Sequence, residues 1–138
     1  MTELADTSAW TSSGKRADTR SDFAELVASG KIATCDAVTM ELLRQTRDAD
    51  ELDGRRTELD YLRRCPMSER VWRRATDVMH ALAERGTLHH RQVPILDLLI
   101  AAAAEAADIP VLHYDRDFEL IAEVTGQPVR AIAPLGTL

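Results

Sequence analysis

The chain has 138 residues, of which 45 % are apolar and only 4 % aromatic, and its formal net charge is −6. That is the length of one ordinary domain, residues 1–138 as a single unit, with a core filled mainly by aliphatic side chains. The acidic balance argues against coating nucleic acid by bulk attraction. No apolar run approaches the ~20 residues that span a bilayer, and no basic-then-apolar leader opens the chain, so a cytoplasmic protein without membrane contact is expected.

Helix and strand signals alternate from end to end, the pattern of an α/β domain with a mostly parallel sheet. Residues 2–6 read as a short first strand. Residues 21–29 read as a helix with Phe23, Leu26 and Val27 on one face and Gly30 as its stop. A second strand over 31–35 leads into a helix over 37–46, with Asp36 as the expected N-cap. The Leu52, Leu59, Leu62 spacing predicts a helix over 50–64 that Pro66 breaks; that stripe suits a partner or dimer face. Residues 68–85 form the strongest amphipathic pattern, with Val71, Trp72, Ala75, Val78, Met79 and Leu82 on the apolar stripe, Ser68 as cap and Gly86 as terminator. Residues 96–107 are apolar and alanine-rich, a helix buried on most sides. A strand over 111–114, a helix over 115–125 ended by Gly126 and a last strand over 129–132 complete the chain. Cys35 and Cys65 fit no ligand spacing and read as free thiols, and the His89–His90 pair as exposed loop residues.

Carboxylates stand where strands or loops hand over to helices. Asp6 ends the first strand, Glu41 lies one turn inside its helix, Asp97 opens the alanine-rich helix, and Asp115 and Asp117 follow the strand over 111–114. In open parallel sheets, sites form beyond the carboxyl ends of the strands, and helix N-termini tolerate negative charge. Gathered carboxylates repel one another and are tolerated mainly when a hard cation neutralises them. Mg²⁺ held by carboxylates and water is suited to phosphodiester chemistry. Taken singly, Asp6, Asp97 and Asp117 also fit the plainer role of helix caps. Basic residues are nearly all Arg, with only Lys15 and Lys31 as lysines, and Arg favours bidentate contact with phosphate. Arg44, a turn beyond Glu41 on a similar face, and Arg16 are candidate phosphate contacts; Arg63, Arg64, Arg73 and Arg74 read rather as solvated helical charge. Trp10 lies near the candidate site, and Trp72 reads as a core or dimer contact.

Four segments in this order resemble the PIN-domain ribonucleases, specifically the VapC-type toxins of bacterial toxin–antitoxin pairs. They are Asp6-Thr7-Ser8-Ala9-Trp10, Thr39-Met40-Glu41-Leu42-Leu43, Asp97 through Ala104, and Tyr114-Asp115-Arg116-Asp117-Phe118. The resemblance covers essentially the whole chain. It implies a three-layer α/β/α fold, Mg²⁺ or Mn²⁺ dependence, cleavage of RNA, a homodimer, and a cognate VapB-type antitoxin that occupies the cleft. It implies catalytic roles for Asp6, Glu41, Asp97, Asp115 and Asp117, metal binding by Asp6, Asp97, Asp115 and Asp117, and a supporting hydroxyl at Ser8. Two positions depart from the family's pattern. The first strand carries Thr2 and Glu3 where an apolar run is usual, and His113 stands where relatives often have Thr.

Other functions share parts of this pattern. A receiver-type phosphoacceptor domain also sets carboxylates at strand ends, but normally needs a Lys after a late strand, and both lysines here are early. A catalytically silent PIN-like interaction module need not keep all the acids. A DNA-cleaving relative of the same fold would keep them and change only the substrate.

Overall fold

The computed structural model describes residues 1–86 and 88–138. Among them are five strands and eight helices in the order β1 (Glu3–Ala5), α1 (Thr7–Ser13), α2 (Ala17–Ala28), β2 (Ile32–Thr34), α3 (Asp36–Arg44), α4 (Ala49–Asp60), β3 (Arg63–Arg64), α5 (Glu69–Arg85), α6 (His89–Gln92), α7 (Ile95–Ala106), β4 (Val111–His113), α8 (Arg116–Thr125) and β5 (Val129–Ala131). The strands make one sheet in the order β3-β2-β1-β4-β5, with every pairing parallel.

β1, β2 and β4 are buried on both faces, as parallel strands under helical layers must be. Side chains alternate across the sheet. Leu4, Ala33 and Val111 meet the core of α3, α5, α7 and α8 on one face; Ala5, Ile32 and Leu112 meet Ala9 of α1 and Phe23 of α2 on the other. The result is three layers, helix on sheet on helix. α7 lies deep in the larger layer, with Leu98 through Ala104 all buried. Its alanines let neighbouring backbones come close, while Leu98, Leu99 and Ile100 each contribute about 1.5–3 kcal/mol by burial. α5 buries Val71, Ala75, Val78 and Leu82, the stripe its periodicity predicts. Trp72 is the exception: it is 55 % exposed and takes no place in the core.

Three further differences from the sequence reading have local causes. α1 is an added helix; its Thr- and Ser-rich sequence has poor intrinsic propensity and no apolar period, and it forms because Asp6 caps it. α4 stops at Asp60, and Arg63–Arg64 leave it to form an edge strand beside β2. Charged residues on an edge strand discourage pairing with another chain, and Arg64 is further tied to Asp36 and Asp60. Cys35, not Asp36, is the residue that precedes α3, and Ser68 precedes α5 without a side-chain cap. The polar first strand is explained by Glu3, which is buried and paired through both carboxylate oxygens to Arg130 of β5, at 2.6 and 2.9 Å. Cys35 and Cys65 are free, buried thiols. Among the described residues, no helix is long and apolar enough to cross a membrane.

Candidate active site

Successive strands run outward from β1 to β2 and β3 on one side and from β4 to β5 on the other. The crevice between the carboxyl ends of β1 and β4 is therefore the point where the strand order reverses, the place such sheets offer for a ligand. The chain's carboxylates gather there.

Asp6 leaves β1 and caps α1. Its backbone N–H donates to Leu112 O at 3.0 Å, which fixes it beside β4. Its carboxylate accepts the N–H groups of Ser8 and Ala9 at 3.2 Å and the Ser8 hydroxyl at 2.8 Å. The Ser8 oxygen in turn accepts the Tyr114 N–H at 2.8 Å, so one hydroxyl joins the ends of β1 and β4. Burial pushes the Asp6 carboxyl up to about 6; the bonds from Ser8 and Ala9 oppose this, and the charge of Asp115 adds to it.

Asp97 sits in the first turn of α7, Asp115 caps α8, and Asp117 lies in the first turn of α8. One carboxylate oxygen from each lies within 4.8 Å of the other two. Burial, then the charges of Asp115, Asp6, Asp117 and Glu41, push Asp97 up to about 8. Burial and Asp115 also raise Asp117. Glu41 projects from α3 and accepts the Thr7 hydroxyl at 2.8 Å, which anchors one of its oxygens. Asp97, Asp115 and Asp117 thus form the inner group, with Asp6 and Glu41 close enough to act on its charge.

This donor set fits a divalent cation. Oxygens sharing one ion at about 2.1 Å stand at most about 4.2 Å apart, so the three aspartates need at most a small side-chain adjustment. A hard ion would also offset the carboxylate repulsion that adds to burial in raising Asp97. The capping roles of Asp6 and Asp115 coexist with this arrangement, because a cap uses N–H donors and leaves further lone pairs free. α1 and α8 both begin at these residues, and their N-termini favour negative charge here.

Two residues make contacts at the site that the sequence does not reveal. Thr7 stands beside Asp6 in the chain, but its bond to Glu41 crosses 34 residues and has no local signature. His113 is fully buried at the end of β4. Its Nδ1 accepts the Asp115 N–H at 3.0 Å, and its Nε2 lies 3.1 Å from Glu119 Oε1. Burial holds the imidazole below its ordinary pKa, against the pull of Glu119.

The candidate RNA contacts divide. Arg44 is exposed at the end of α3 and, with Glu41, lines an open groove of about 510 Å³ whose other walls are Ala37, Met40, Leu43, Leu52 and Leu96. Arg16 is exposed but paired with Asp18 at 2.6 Å. Arg74 is bound to Glu105 and Arg73 to Glu69. Trp10 is a packing residue: its ring meets Phe23 edge-on at 4.9 Å, and the Arg55 guanidinium lies 5.0 Å over it. Within the Leu52, Leu59, Leu62 stripe, Leu59 is buried, Leu62 packs on the core, and Leu52 faces the groove. His89 and His90 lie on the helical turn α6.

Residues 4–124 match the family model described as PIN domain. The chain is 41 % identical over 138 residues to ribonuclease VapC18 of Mycobacterium tuberculosis, covering all of both chains. A DNA-bound VapBC structure from Salmonella typhimurium superposes with a TM-score of 0.70 at 18 % identity, covering 96 % of this chain and 100 % of that one. VapBC-5 of Mycobacterium tuberculosis, from the VapBC family of toxin-antitoxin systems, superposes with a TM-score of 0.55 at 23 % identity, covering 94 % and 96 %.

Proposed function

The chain belongs to the PIN-domain family, and from that membership we propose that it is the endoribonuclease toxin of a toxin–antitoxin pair, cutting RNA with a divalent cation held at the carboxylate crevice. The observation that carries this reading is the inner group of Asp97, Asp115 and Asp117, within 4.8 Å of one another and backed by Asp6 and Glu41. Identity to a ribonuclease over the full length of both chains supports the same activity.

Asp97, Asp115 and Asp117 would hold the ion, with Asp6 beside them. Mg²⁺ or Mn²⁺ suits an all-oxygen set. Such an ion would stabilise negative charge on the attacked phosphoryl oxygens and lower the pKa of a water toward neutrality. Glu41, with one oxygen held by Thr7, orients the attacking water and takes its proton through the free oxygen. Attack in line with the leaving oxygen gives a 5′-phosphate and a 3′-hydroxyl and needs no covalent intermediate. Ser8 keeps the ends of β1 and β4 together during the reaction. Arg44, and Arg16 once released from Asp18, hold flanking phosphates.

The partners follow from the same reading. The groove beside Glu41 is lined by Met40, Leu43, Leu52 and Leu96 and leads to the acids. A cognate VapB-type antitoxin covers it with an apolar segment and places a cationic side chain over the carboxylates; solved relatives are themselves VapBC structures. The protein acts in the cytoplasm, where RNA is available, and as a homodimer. The receiver-type alternative is disfavoured because Lys31 precedes β2, at the opposite end of the sheet from the acids, and Lys15 follows α1.

The test is cleavage of a total RNA pool by the purified protein with Mg²⁺ or Mn²⁺, with EDTA, and by Asp97→Asn. Discrete cuts that need the ion and vanish in the variant are expected, and mapping their 5′ ends identifies the RNA. A folded Asp97→Asn protein that retained full ion-dependent cleavage would overturn the assignment. Equal cleavage of DNA would change the substrate class and leave the site intact.

A further inference from the structure

We infer that His113 and Glu119 form a positioning pair that sets the backbone of Asp115, and through it the geometry of the ion-binding carboxylates. The inference rests on the reading of Asp115 as an ion ligand.

Its basis is a chain of hydrogen bonds whose direction is fixed. The Asp115 N–H can only donate, so His113 Nδ1, 3.0 Å away, must accept and carry no proton. The neutral ring then bears its proton on Nε2 and donates it to Glu119 Oε1 at 3.1 Å. The ring is wholly buried at the end of β4 and lies against Phe118, with centroids 5.5 Å apart. Its backbone oxygen is held by the Ile132 N–H at 2.9 Å. The residue is therefore held from three directions: at its backbone by Ile132, just beyond β5, and at its ring by Phe118 and by Glu119 from the first turns of α8. Asp115, by contrast, is the residue where β4 gives way to α8, and its side chain must both cap that helix through the Asp117 N–H at 2.9 Å and face the inner group. A backbone N–H held by a fixed ring limits the rotation available to that residue. A small side chain at position 113 could satisfy the N–H but could not reach Glu119, so the link between the strand end and α8 depends on the imidazole. His113 does not touch the candidate ion or the reacting atoms; it acts through Asp115.

The experiment reads ion affinity and ring tautomer as well as cleavage. Mn²⁺ titration calorimetry is run on the full chain and on His113→Asn, His113→Leu, Glu119→Gln and Glu119→Ala, with circular dichroism as the check on folding. Asn can present an acceptor where Nδ1 stands, so His113→Asn should bind Mn²⁺ within about threefold of the parent, whereas His113→Leu should bind at least about tenfold more weakly, the scale for loss of an outer partner of an ion ligand. Glu119→Gln removes the charge and keeps the acceptor; Glu119→Ala removes both. The pair predicts weaker binding for Glu119→Ala than for Glu119→Gln, whereas a purely electrostatic role predicts the same loss in both. Nitrogen-15 spectra of the parent should show the Nε2–H tautomer. Cleavage rates should fall in step with ion affinity. Equal Mn²⁺ affinity in His113→Leu and the parent, or an Nδ1–H ring, overturns the inference. If His113→Leu does not fold, the two Glu119 variants decide it. A parent protein that binds no Mn²⁺ while showing the Nε2–H ring would remove the ion-ligand reading of Asp115 and with it the positioning role, leaving only the hydrogen-bonded pair.

Discussion

Asp97 is where the electrostatics of the site converge. Burial and four neighbouring carboxylates hold its pKa at about 8, against about 4 for an unfolded aspartate. The folded protein therefore binds more protons than the unfolded chain between those values, so its stability falls as pH rises through this window. Asp6, raised to about 6, acts in the same direction over a narrower window. Without divalent cations, the melting temperature should fall between about pH 5 and about pH 8.5, and Asp97→Asn should flatten much of that slope. Adding Mn²⁺ at the upper pH should restore stability to the parent and much less to the variant; an unchanged slope in Asp97→Asn would show that the strain lies elsewhere. Thr7 offers a second test. Thr7→Val frees the anchored oxygen of Glu41 and should lower the cleavage rate by roughly tenfold, a fraction of the ~10²–10⁴ that a positioned base supplies. Thr7→Ser keeps the hydroxyl and should retain most activity. Equal rates for both variants would remove Thr7 from the mechanism. Four of the five candidate acids are legible as residues because each stands beside an element boundary; Glu41, one turn inside α3, is legible only through the family resemblance. Their mutual distances, and the partners Thr7 and Glu119, are not, because those contacts join positions far apart in the chain or depend on how a side chain turns.

At the scale of elements, legibility follows periodicity. α5 and α7 are plain in the sequence because each repeats apolar residues at helical spacing and then buries them. Gly126 ends α8 with a φ of +73°, a left-handed conformation that glycine adopts without strain. α1 and β3 are hidden for opposite reasons. α1 has no apolar period and depends on a capping carboxylate; β3 is two exposed arginines whose strand character comes from pairing with β2. The alanines of α7 make a sharp prediction about packing. Ala103 is wholly buried, so Ala103→Leu must displace neighbouring side chains and should cost about 1–3 kcal/mol in urea unfolding. A loss near zero would mean that the helix lies less tightly against its neighbours than its burial indicates.

For the whole molecule, the groove proposed for the antitoxin and the crevice proposed for catalysis share Glu41 but are otherwise built largely from different residues. Met40 is 71 % exposed on the groove wall and is not among the acids. Met40→Asp should leave RNA cleavage nearly unchanged while weakening inhibition by the cognate antitoxin by roughly tenfold or more, as loss of a buried apolar anchor does. Unchanged inhibition would move the antitoxin contact away from this groove. The sequence by itself determined the α/β class, the aliphatic core, the strongest helices and the family resemblance, and it offered the five acids as candidates, because these follow from composition, period and residues adjacent in the chain. Only the tertiary structure decided that β1 and β4 are neighbours at the reversal of strand order, that Asp97 joins Asp115 and Asp117 while Asp6 and Glu41 stand close enough to act on their charge, and that the His113 ring accepts the Asp115 N–H between β4 and α8. Strand order and side-chain convergence are set by packing between distant segments, and a carboxylate's pKa is set by what surrounds it once those segments have met.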